Sequence, residues 1–246
     1  MATTNETIDI QTTDGLMATS VYRPASDGPY PAVIMVHGAP GVDAGVRHMA
    51  NDLAGEGFVV AAPDLLHRTG RLQVMTPDWP IERRDAMQEG LTEAAIIADV
   101  GSALDVLGKM TDVRKGPVGI TGFCLGGRVS YLATMHHKRI GAAVMYFPTG
   151  LVYPDKRTAG SVAPVSLADQ VATPIIGFFP TLDVKHASPE IVAEVSTAFA
   201  QAGVDGEVIT VEGAKHGFID PLGAVYDPVE GPKAWARMLA FFRARL

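Results

Sequence analysis

The sequence predicts an α/β fold, with a mostly parallel central sheet and helices on both faces. First, short apolar runs such as Ala32–His37 (AVIMVH) are typical of strands that are covered on both faces. Second, these runs alternate along the chain with segments whose apolar residues have helical spacing. Third, 246 residues with 47% hydrophobic side chains suit one large α/β domain, which we predict to span residues 1–246.

The chain begins with a predicted antiparallel hairpin, in which Glu6–Thr12 and Met17–Arg23 flank the turn Thr13-Asp14-Gly15. The later strands are apolar runs, and we place them at Ala32–His37, Phe58–Ala62, Gly116–Thr121, Ala142–Phe147, Pro174–Phe179 and Glu207–Val211. The predicted helices are Asp43–Gly55, Met87–Met110, Arg128–Met135, Pro189–Ala202 and Pro228–Arg245. Two irregular stretches interrupt this alternation: Leu65–Arg84, a candidate flap, and Thr149–Val171, an excursion over the edge of the sheet.

Charge and composition argue against several classes of protein. A net charge of −7 and a pI of about 5.4 disfavour non-specific binding to nucleic acid or to an anionic membrane. No apolar run reaches the length of about 18 residues that a membrane span needs, and no signal peptide is visible. A single free cysteine favours the reducing cytoplasm. The sequence does not distinguish a monomer from a homodimer.

We expect neither a cofactor nor a metal ion. One cysteine cannot form a cysteine-based zinc site alone. No G-x-G-x-x-G motif follows the first strands, and the sequence contains no G-x-x-x-x-G-K-[ST] motif. The expected partner is therefore a small-molecule substrate.

The single cysteine lies in the segment Gly122-Phe123-Cys124-Leu125-Gly126-Gly127, where a strand turns into a helix. A lone cysteine is more often a small buried apolar residue than a nucleophile. However, small residues on both sides of a central nucleophile permit the sharp turn that lifts its side chain out of the sheet. The glycines therefore favour Cys124 as a catalytic nucleophile.

A thiol needs a base to ionise near neutral pH, and the base needs a group that fixes its tautomer. Asp183 follows the strand Pro174–Phe179, and His216 follows the strand Glu207–Val211. Alone, such an aspartate is often a turn former and such a histidine a solvated surface residue. The order nucleophile, acid, histidine and the position of each after a strand favour a catalytic triad. His186 lies near Asp183 in sequence and remains a second candidate for the base.

An oxyanion hole requires two backbone N–H groups that point at the developing negative charge. Leu125, directly after the nucleophile, is one candidate donor. The other is Ala39 in the loop after the strand Ala32–His37, because Pro40 has no N–H to donate. The alternative interpretation of this loop is a tight turn that leads into a helix.

Several side chains are candidates for substrate binding. Arg83 and Arg84 could bind a substrate carboxylate, although the balanced run Glu82-Arg83-Arg84-Asp85 also fits an ordinary solvated surface. Aromatic residues at strand ends could line an apolar pocket or belong to the core, and the candidates are Trp79, Phe123, Tyr146, Tyr153 and Phe218.

These motifs together resemble the dienelactone hydrolase family, whose members are cysteine hydrolases with the α/β-hydrolase fold. The resemblance runs through Ala32–His37, Leu53–Arg68, Gly122–Gly127, the region around Asp183 and the signature His216-Gly217-Phe218. It implies hydrolysis of a lactone or related ester through a thioester on Cys124, with His216 and Asp183 completing the triad.

Two positions depart from the family pattern. Gly38 stands where dienelactone-type members carry a glutamate associated with activation of the thiol. Asp220 stands where they tend to carry an arginine that can meet the substrate carboxylate. The resemblance therefore implies the triad and leaves specificity for an anionic dienelactone open.

Two alternatives remain at this point. One is a broad-specificity carboxylesterase, or an aryl or phosphoryl esterase, whose neutral and open pocket would not require a carboxylate. The other is a non-catalytic protein in which Cys124 senses oxidants without forming an acyl intermediate.

Overall fold

The computed structural model describes residues 1–76, 78–88, 90–153 and 162–246. Over these residues it contains an eight-stranded sheet in the order β1-β2-β4-β3-β5-β6-β7-β8. The strands are β1 (Thr3–Thr12), β2 (Gly15–Pro24), β3 (Ala32–Val36), β4 (Val59–Pro63), β5 (Val118–Phe123), β6 (Ile140–Tyr146), β7 (Ile175–Pro180) and β8 (Gly206–Val211). The helices are α1 (Ala44–Gly55), α2 (Ile81–Met87), α3 (Glu93–Leu107), α4 (Leu125–His136), α5 (Pro189–Ala202) and α6 (Glu230–Arg243), with a 3₁₀ helix at Pro164–Gln170.

The sheet is antiparallel only at its first edge. The pairs β1–β2 and β2–β4 are antiparallel, whereas β3 to β8 pair in parallel with their neighbours. Every residue of β3, β4 and β5 is buried, as expected for strands with helices on both sides. The predicted α/β fold with a mostly parallel sheet is confirmed.

Two separate apolar cores cover the two faces of this sheet. On one face α1 and α6 contribute side chains such as Leu53 and Phe242. On the other face α3, α4 and α5 contribute side chains such as Val100, Val129 and Val195. The described helices cover the two faces of the sheet but not the carboxyl ends of its parallel strands. Loops from different strands meet at this edge.

One predicted helix was wrong. The sequence predicted a continuous helix over Met87–Met110, but α2 ends at Met87 and α3 begins at Glu93. The break has a local cause, because Gly90 adopts a φ of 83° and the Thr92 side chain accepts a hydrogen bond from the N–H of Ala95 at 3.2 Å. Helix α2 also occupies the end of the stretch Leu65–Arg84 that was predicted to be irregular. Part of the predicted excursion Thr149–Val171 lies outside the described residues.

A buried ion-pair network holds the β1–β2 hairpin against the loop after β4 and helix α3. The Asp99 side chain is fully buried and receives two hydrogen bonds from Arg68, at 2.7 and 3.1 Å. Arg68 also contacts Asp14 in the hairpin turn at 2.7 Å, and His67 lies 3.4 Å from Asp99. A bidentate guanidinium offsets much of the cost of burying the Asp99 carboxylate.

Replacing Arg68 with methionine is expected to lower the free energy of unfolding by about 3–5 kcal/mol, because it leaves the Asp99 carboxylate buried without its main partner. Urea denaturation of the two proteins measures this difference. Arg71→Met is the matched control, since Arg71 pairs with Asp9 in an exposed position and should contribute about 0–1 kcal/mol. Equal losses for the two variants would contradict a structural role specific to the Arg68–Asp99 pair.

Within the described part of the chain, no helix combines the length and the apolar character needed to cross a lipid bilayer.

Candidate active site

Cys124 lies between the end of β5 and the start of α4, with φ 57° and ψ −113°. This positive φ strains a residue with a side chain, and surrounding contacts hold it in place. The Cys124 N–H donates to the carbonyl of Tyr146 at 3.1 Å, which ties the turn to strand β6. A Cβ on Gly122 would lie 2.3 Å from the carbonyl oxygen of Gly126, so only glycine fits there. The predicted sharp turn is therefore present and projects the thiol from the carboxyl end of β5.

His216 and Asp183 meet beside this thiol, although 33 residues separate them in sequence. His216 Nδ1 lies 2.5 Å from Asp183 Oδ2, and the imidazole lies beside the Cys124 thiol in the same cleft. Since Nδ1 faces the carboxylate, Nε2 is the ring nitrogen left to interact with the sulfur. The Asp183 side chain is 6% exposed and that of His216 is 34% exposed, so water reaches the imidazole more readily than the carboxylate.

Opposing effects set the charges of this group of residues. Burial raises the pKa of the Cys124 thiol, but the His216 hydrogen bond and charge, and two backbone N–H groups, lower it more strongly. Burial likewise lowers the pKa of His216, but hydrogen bonds with Asp183 and Cys124, and the charges of both, raise it to about 9. A lowered thiol pKa and a raised imidazole pKa favour transfer of the thiol proton to the imidazole, which forms a thiolate–imidazolium pair. The two groups titrate as a pair.

The two N–H groups are those of Leu125 and Ala39. The sequence predicted these two groups as oxyanion donors, and that role stays a prediction. Buried His37 holds the Ala39 loop in place: its Nδ1–H donates to the carbonyl of Gly38 at 2.6 Å, and its Nε2 accepts from the N–H of Leu65 at 3.0 Å. These two bonds fix the tautomer of His37 and leave it no role as a base.

A cleft of about 180 Å³ opens over Cys124 and His216. Its apolar wall is formed by Pro40, Val46, Met49, Phe123, Phe147 and Ile219. Asp43 and Asp220 are its other ionisable side chains among the described residues. An apolar cleft with a few polar groups at its base is the usual form of a small-molecule site.

Among the candidate substrate-binding residues Trp79, Arg83, Arg84, Phe123 and Phe218, the structure places Phe123 in the wall of this cleft. The described lining does not include Trp79, Arg83, Arg84 or Phe218. The Arg83 guanidinium lies 3.4 Å from the centroid of the Trp79 ring, and Phe218 is fully buried. Contact of these four residues with substrate stays a prediction.

Phe147 lies at the site but was not predicted from the sequence. Its ring centroid lies 4.7 Å from that of His216, and its φ of 39° is unusual for a residue with a side chain. The face of an aromatic ring at this distance stabilises an imidazolium cation. Its position at the carboxyl end of β6 could have indicated a role at the site, because ligand-binding residues of parallel sheets often lie at the carboxyl ends of strands. The ring centroid of His186, the second candidate for the base, lies 5.5 Å from that of His216. The Asp183 carboxylate is paired with His216.

No group of three or more histidine, cysteine or acidic side chains is arranged to hold a metal ion in the described ranges.

Residues 17–246 match the profile of the Dienelactone hydrolase family. The chain belongs to the dienelactone hydrolase family. An Escherichia coli O157:H7 protein named "Putative carboxymethylenebutenolidase" is 30% identical over 221 residues, which cover 89% of this chain and 78% of the relative. A Bradyrhizobium protein named "Probable 2-oxo-3-(5-oxofuran-2-ylidene)propanoate lactonase" is 28% identical over 97% of this chain and 94% of its own length.

The fold of this dienelactone hydrolase family member has a solved counterpart. The crystal structure of a Klebsiella pneumoniae protein titled "Putative Dienelactone Hydrolase" superposes with a TM-score of 0.89 and 25% identity, covering 99% of both chains. Family membership and these relatives identify the protein as a hydrolase of lactones or esters, as the sequence predicted. The resemblance inferred from the motifs is confirmed.

Proposed function

We propose that this protein hydrolyses a small lactone or ester through a covalent thioester on Cys124, with His216 as base and acid and Asp183 as the group that orients His216. The observation that carries the proposal is the position of Cys124 on a sharp turn between strand and helix, where it shares one cleft with the imidazole of the His216–Asp183 pair. A thiolate, a proton donor and an oxyanion hole are the three components that acyl transfer needs.

The first half of the reaction forms the thioester. The Cys124 thiolate attacks the carbonyl carbon, and the electron pair of the C=O bond moves to oxygen. The N–H groups of Leu125 and Ala39 stabilise this oxyanion. When the carbonyl re-forms, the C–O bond to the alcohol breaks, and Nε2 of the His216 imidazolium gives its proton to the leaving oxygen. In a lactone the leaving oxygen stays attached to the acyl chain.

The second half restores the free enzyme. Neutral His216 takes a proton from a water molecule, which attacks the thioester carbonyl. The tetrahedral intermediate uses the same two N–H donors, and its collapse breaks the C–S bond. Cys124 leaves as the thiolate and His216 remains protonated, which regenerates the ion pair. Asp183 stabilises the imidazolium at both stages without itself changing protonation.

Two contacts support efficient acid–base work at this site. The Asp183 hydrogen bond fixes the His216 tautomer, so that Nε2 is directed at sulfur. The Phe147 ring restricts the imidazole from one side. Removal of one oxyanion donor from such a site typically lowers kcat by about 10²–10³-fold. A cleft of about 180 Å³ favours a compact group at the reacting carbonyl.

Mixing excess p-nitrophenyl acetate with the enzyme is expected to release a burst of nitrophenol equal to the concentration of active sites. Quenching in acid should leave one acetyl group on the peptide that contains Cys124, as measured by mass spectrometry. The thioester accumulates because the aryl leaving group makes its formation faster than its hydrolysis. Turnover without any acylated Cys124 peptide, under conditions where the burst is seen, would contradict the thioester mechanism.

We further propose that the protein acts in the cytoplasm, where a free catalytic thiol stays reduced. The substrate is a small molecule, and the family assignment supports hydrolysis over a purely redox-sensing role for Cys124.

A further inference from the structure

A second pocket of about 240 Å³ lies between α1 and the beginning of α6, next to the catalytic cleft. Its aromatic side chains are Tyr226 and Trp235, and its acidic side chain is Asp52. The Tyr226 ring is fixed in position because it lies against the backbone of Gly231, where a Cβ would approach Tyr226 Cε2 to 2.7 Å. The mechanism proposed above does not use any of these residues.

The pocket and the cleft lie along the same two walls. On the α1 wall, Val46 lines the cleft, Met49 lines both spaces and Asp52 lines the pocket. On the opposite wall, Asp220 lines the cleft, Ile219 lines both and Pro221 lines the pocket. The two spaces therefore adjoin at Met49 and Ile219, and a substrate with its ester at Cys124 would pass these two side chains to reach the pocket.

Size supports this extension. Sites for small organic ligands commonly enclose about 300–1,000 Å³. The cleft alone, at about 180 Å³, is smaller than this range, and the adjoining pocket of about 240 Å³ brings the total within it. The catalytic cleft thus holds the reacting carbonyl and a compact group, while a larger part of the substrate needs the second space.

The charges along these walls have one predominant sign. Asp43, Asp220 and Asp52 supply three carboxylates, and no lysine or arginine occurs among the described residues that line either space. Asp220 is held rigidly: its Oδ1 accepts from the N–H of Leu222 at 2.9 Å, and its carboxylate packs on Gly45, where a Cβ would lie 2.3 Å away. His48 pairs with Asp52 at 3.3 Å and only when protonated carries a positive charge.

We propose that the pocket lined by Tyr226, Trp235 and Asp52 is a second substrate subsite. It binds a substrate group that is joined to the ester by a short chain and that is either aromatic, uncharged or cationic, or a quaternary ammonium ion. Asp220 at its entrance repels anionic groups. The proposal rests on the proposed esterase function of Cys124 and adds the substrate class. Aromatic faces and carboxylates together attract organic cations, and the rings alone bind apolar groups.

The test uses two matched series of esters. In one, p-nitrophenyl esters carry an acyl chain that ends in a phenyl, a trimethylammonium or a carboxylate group. In the other, acetates of alcohols carry the same three end groups, and a pH-stat follows their hydrolysis. The subsite predicts, in at least one series, a kcat/KM at least about tenfold higher for the phenyl and trimethylammonium esters than for the carboxylate ester.

Three variants and a control identify the residues responsible. Trp235→Ala should lower kcat/KM for the phenyl and trimethylammonium esters at least about fivefold, and Trp235→Phe should restore most of it. Asp220→Asn should reduce the ratio of kcat/KM for the trimethylammonium ester to kcat/KM for the carboxylate ester. Asp205→Asn removes the same charge at an exposed position before the amino end of β8 and should leave every ratio unchanged.

Hydrolysis of p-nitrophenyl acetate separates the two proposals, because this ester is too short to reach the pocket. If its Cys124-dependent hydrolysis persists in the Trp235 variants but the end-group ratios of kcat/KM do not respond to Trp235 or Asp220, the subsite is refuted and the proposed function stands. A preference for the carboxylate ester in both series would also refute it. Hydrolysis of p-nitrophenyl acetate that does not depend on Cys124 would refute the proposed function itself.

Discussion

Replacing Cys124 with alanine is expected to lower kcat/KM for an activated ester by at least about 10⁴-fold. Removing the nucleophile of a catalytic triad has an effect of this size or larger, because the imidazole and the oxyanion hole have no covalent step left to assist. Stopped-flow or steady-state assays with p-nitrophenyl acetate measure the loss. The burst of nitrophenol should vanish at the same time.

A serine at position 124 provides a sharper control than alanine. Its hydroxyl is uncharged at neutral pH, so the thiolate–imidazolium pair cannot form, although the geometry around His216 is retained. We expect activity well below that of the native protein and above that of Cys124→Ala. Activity of Cys124→Ala equal to that of the native protein would exclude a nucleophilic role.

Measurements of the free energy of unfolding for variants at position 124 test whether misfolding explains their loss of activity. Because Cys124 has a φ of 57°, glycine should relieve backbone strain there and raise the free energy of unfolding by about 1 kcal/mol relative to alanine. Urea denaturation should therefore find Cys124→Gly inactive and more stable than Cys124→Ala. An inactive Cys124→Gly protein that still unfolds cooperatively, and with more stability than Cys124→Ala, has lost its nucleophile and not its fold.

Replacing Asp183 with asparagine is expected to lower kcat by about 10³–10⁴-fold, since the amide keeps the shape of the carboxylate but neither stabilises the imidazolium nor enforces the tautomer of His216. The pH profile should change as well. In the native protein kcat/KM, which reports the reaction of the free enzyme up to the thioester, requires the thiolate, present above the lowered pKa of Cys124, and the imidazolium, present below the His216 pKa of about 9. We therefore expect a bell-shaped profile whose alkaline limb lies near pH 9.

In Asp183→Asn the alkaline limb should move to lower pH, because the carboxylate that raises the pKa of His216 is gone. His186→Gln is the matched control, since His186 lies close to the same imidazole and was the reserve candidate for the base. It should change kcat less than about tenfold and leave the alkaline limb near its native position. A loss in His186→Gln equal to that in Asp183→Asn would transfer the role of base to His186.

Most elements of the fold were predictable because their signals are local. Helix α5 was predicted at its observed bounds because Ser188 accepts a hydrogen bond from the N–H of Ile191 and Gly203, with a φ of 68°, ends the helix. The break between α2 and α3 was missed although its signals, Gly90 and Thr92, are also local. The apolar spacing of Met87–Met110 continues across the break, and periodicity by itself does not reveal a cap.

The sequence alone determined the order of Cys124, Asp183 and His216 along the chain and predicted Ala39 and Leu125 as the oxyanion donors. Each of these residues comes shortly after the end of a strand, and in a parallel sheet the carboxyl ends of the strands share one edge. Only the tertiary structure decided which other side chains reach that edge: Phe147 beside His216, Asp43 and Asp220 in the cleft, and the pocket between α1 and α6. Those contacts join segments that are remote in sequence, and the packing of helices against the sheet, which no local pattern encodes, sets their distances.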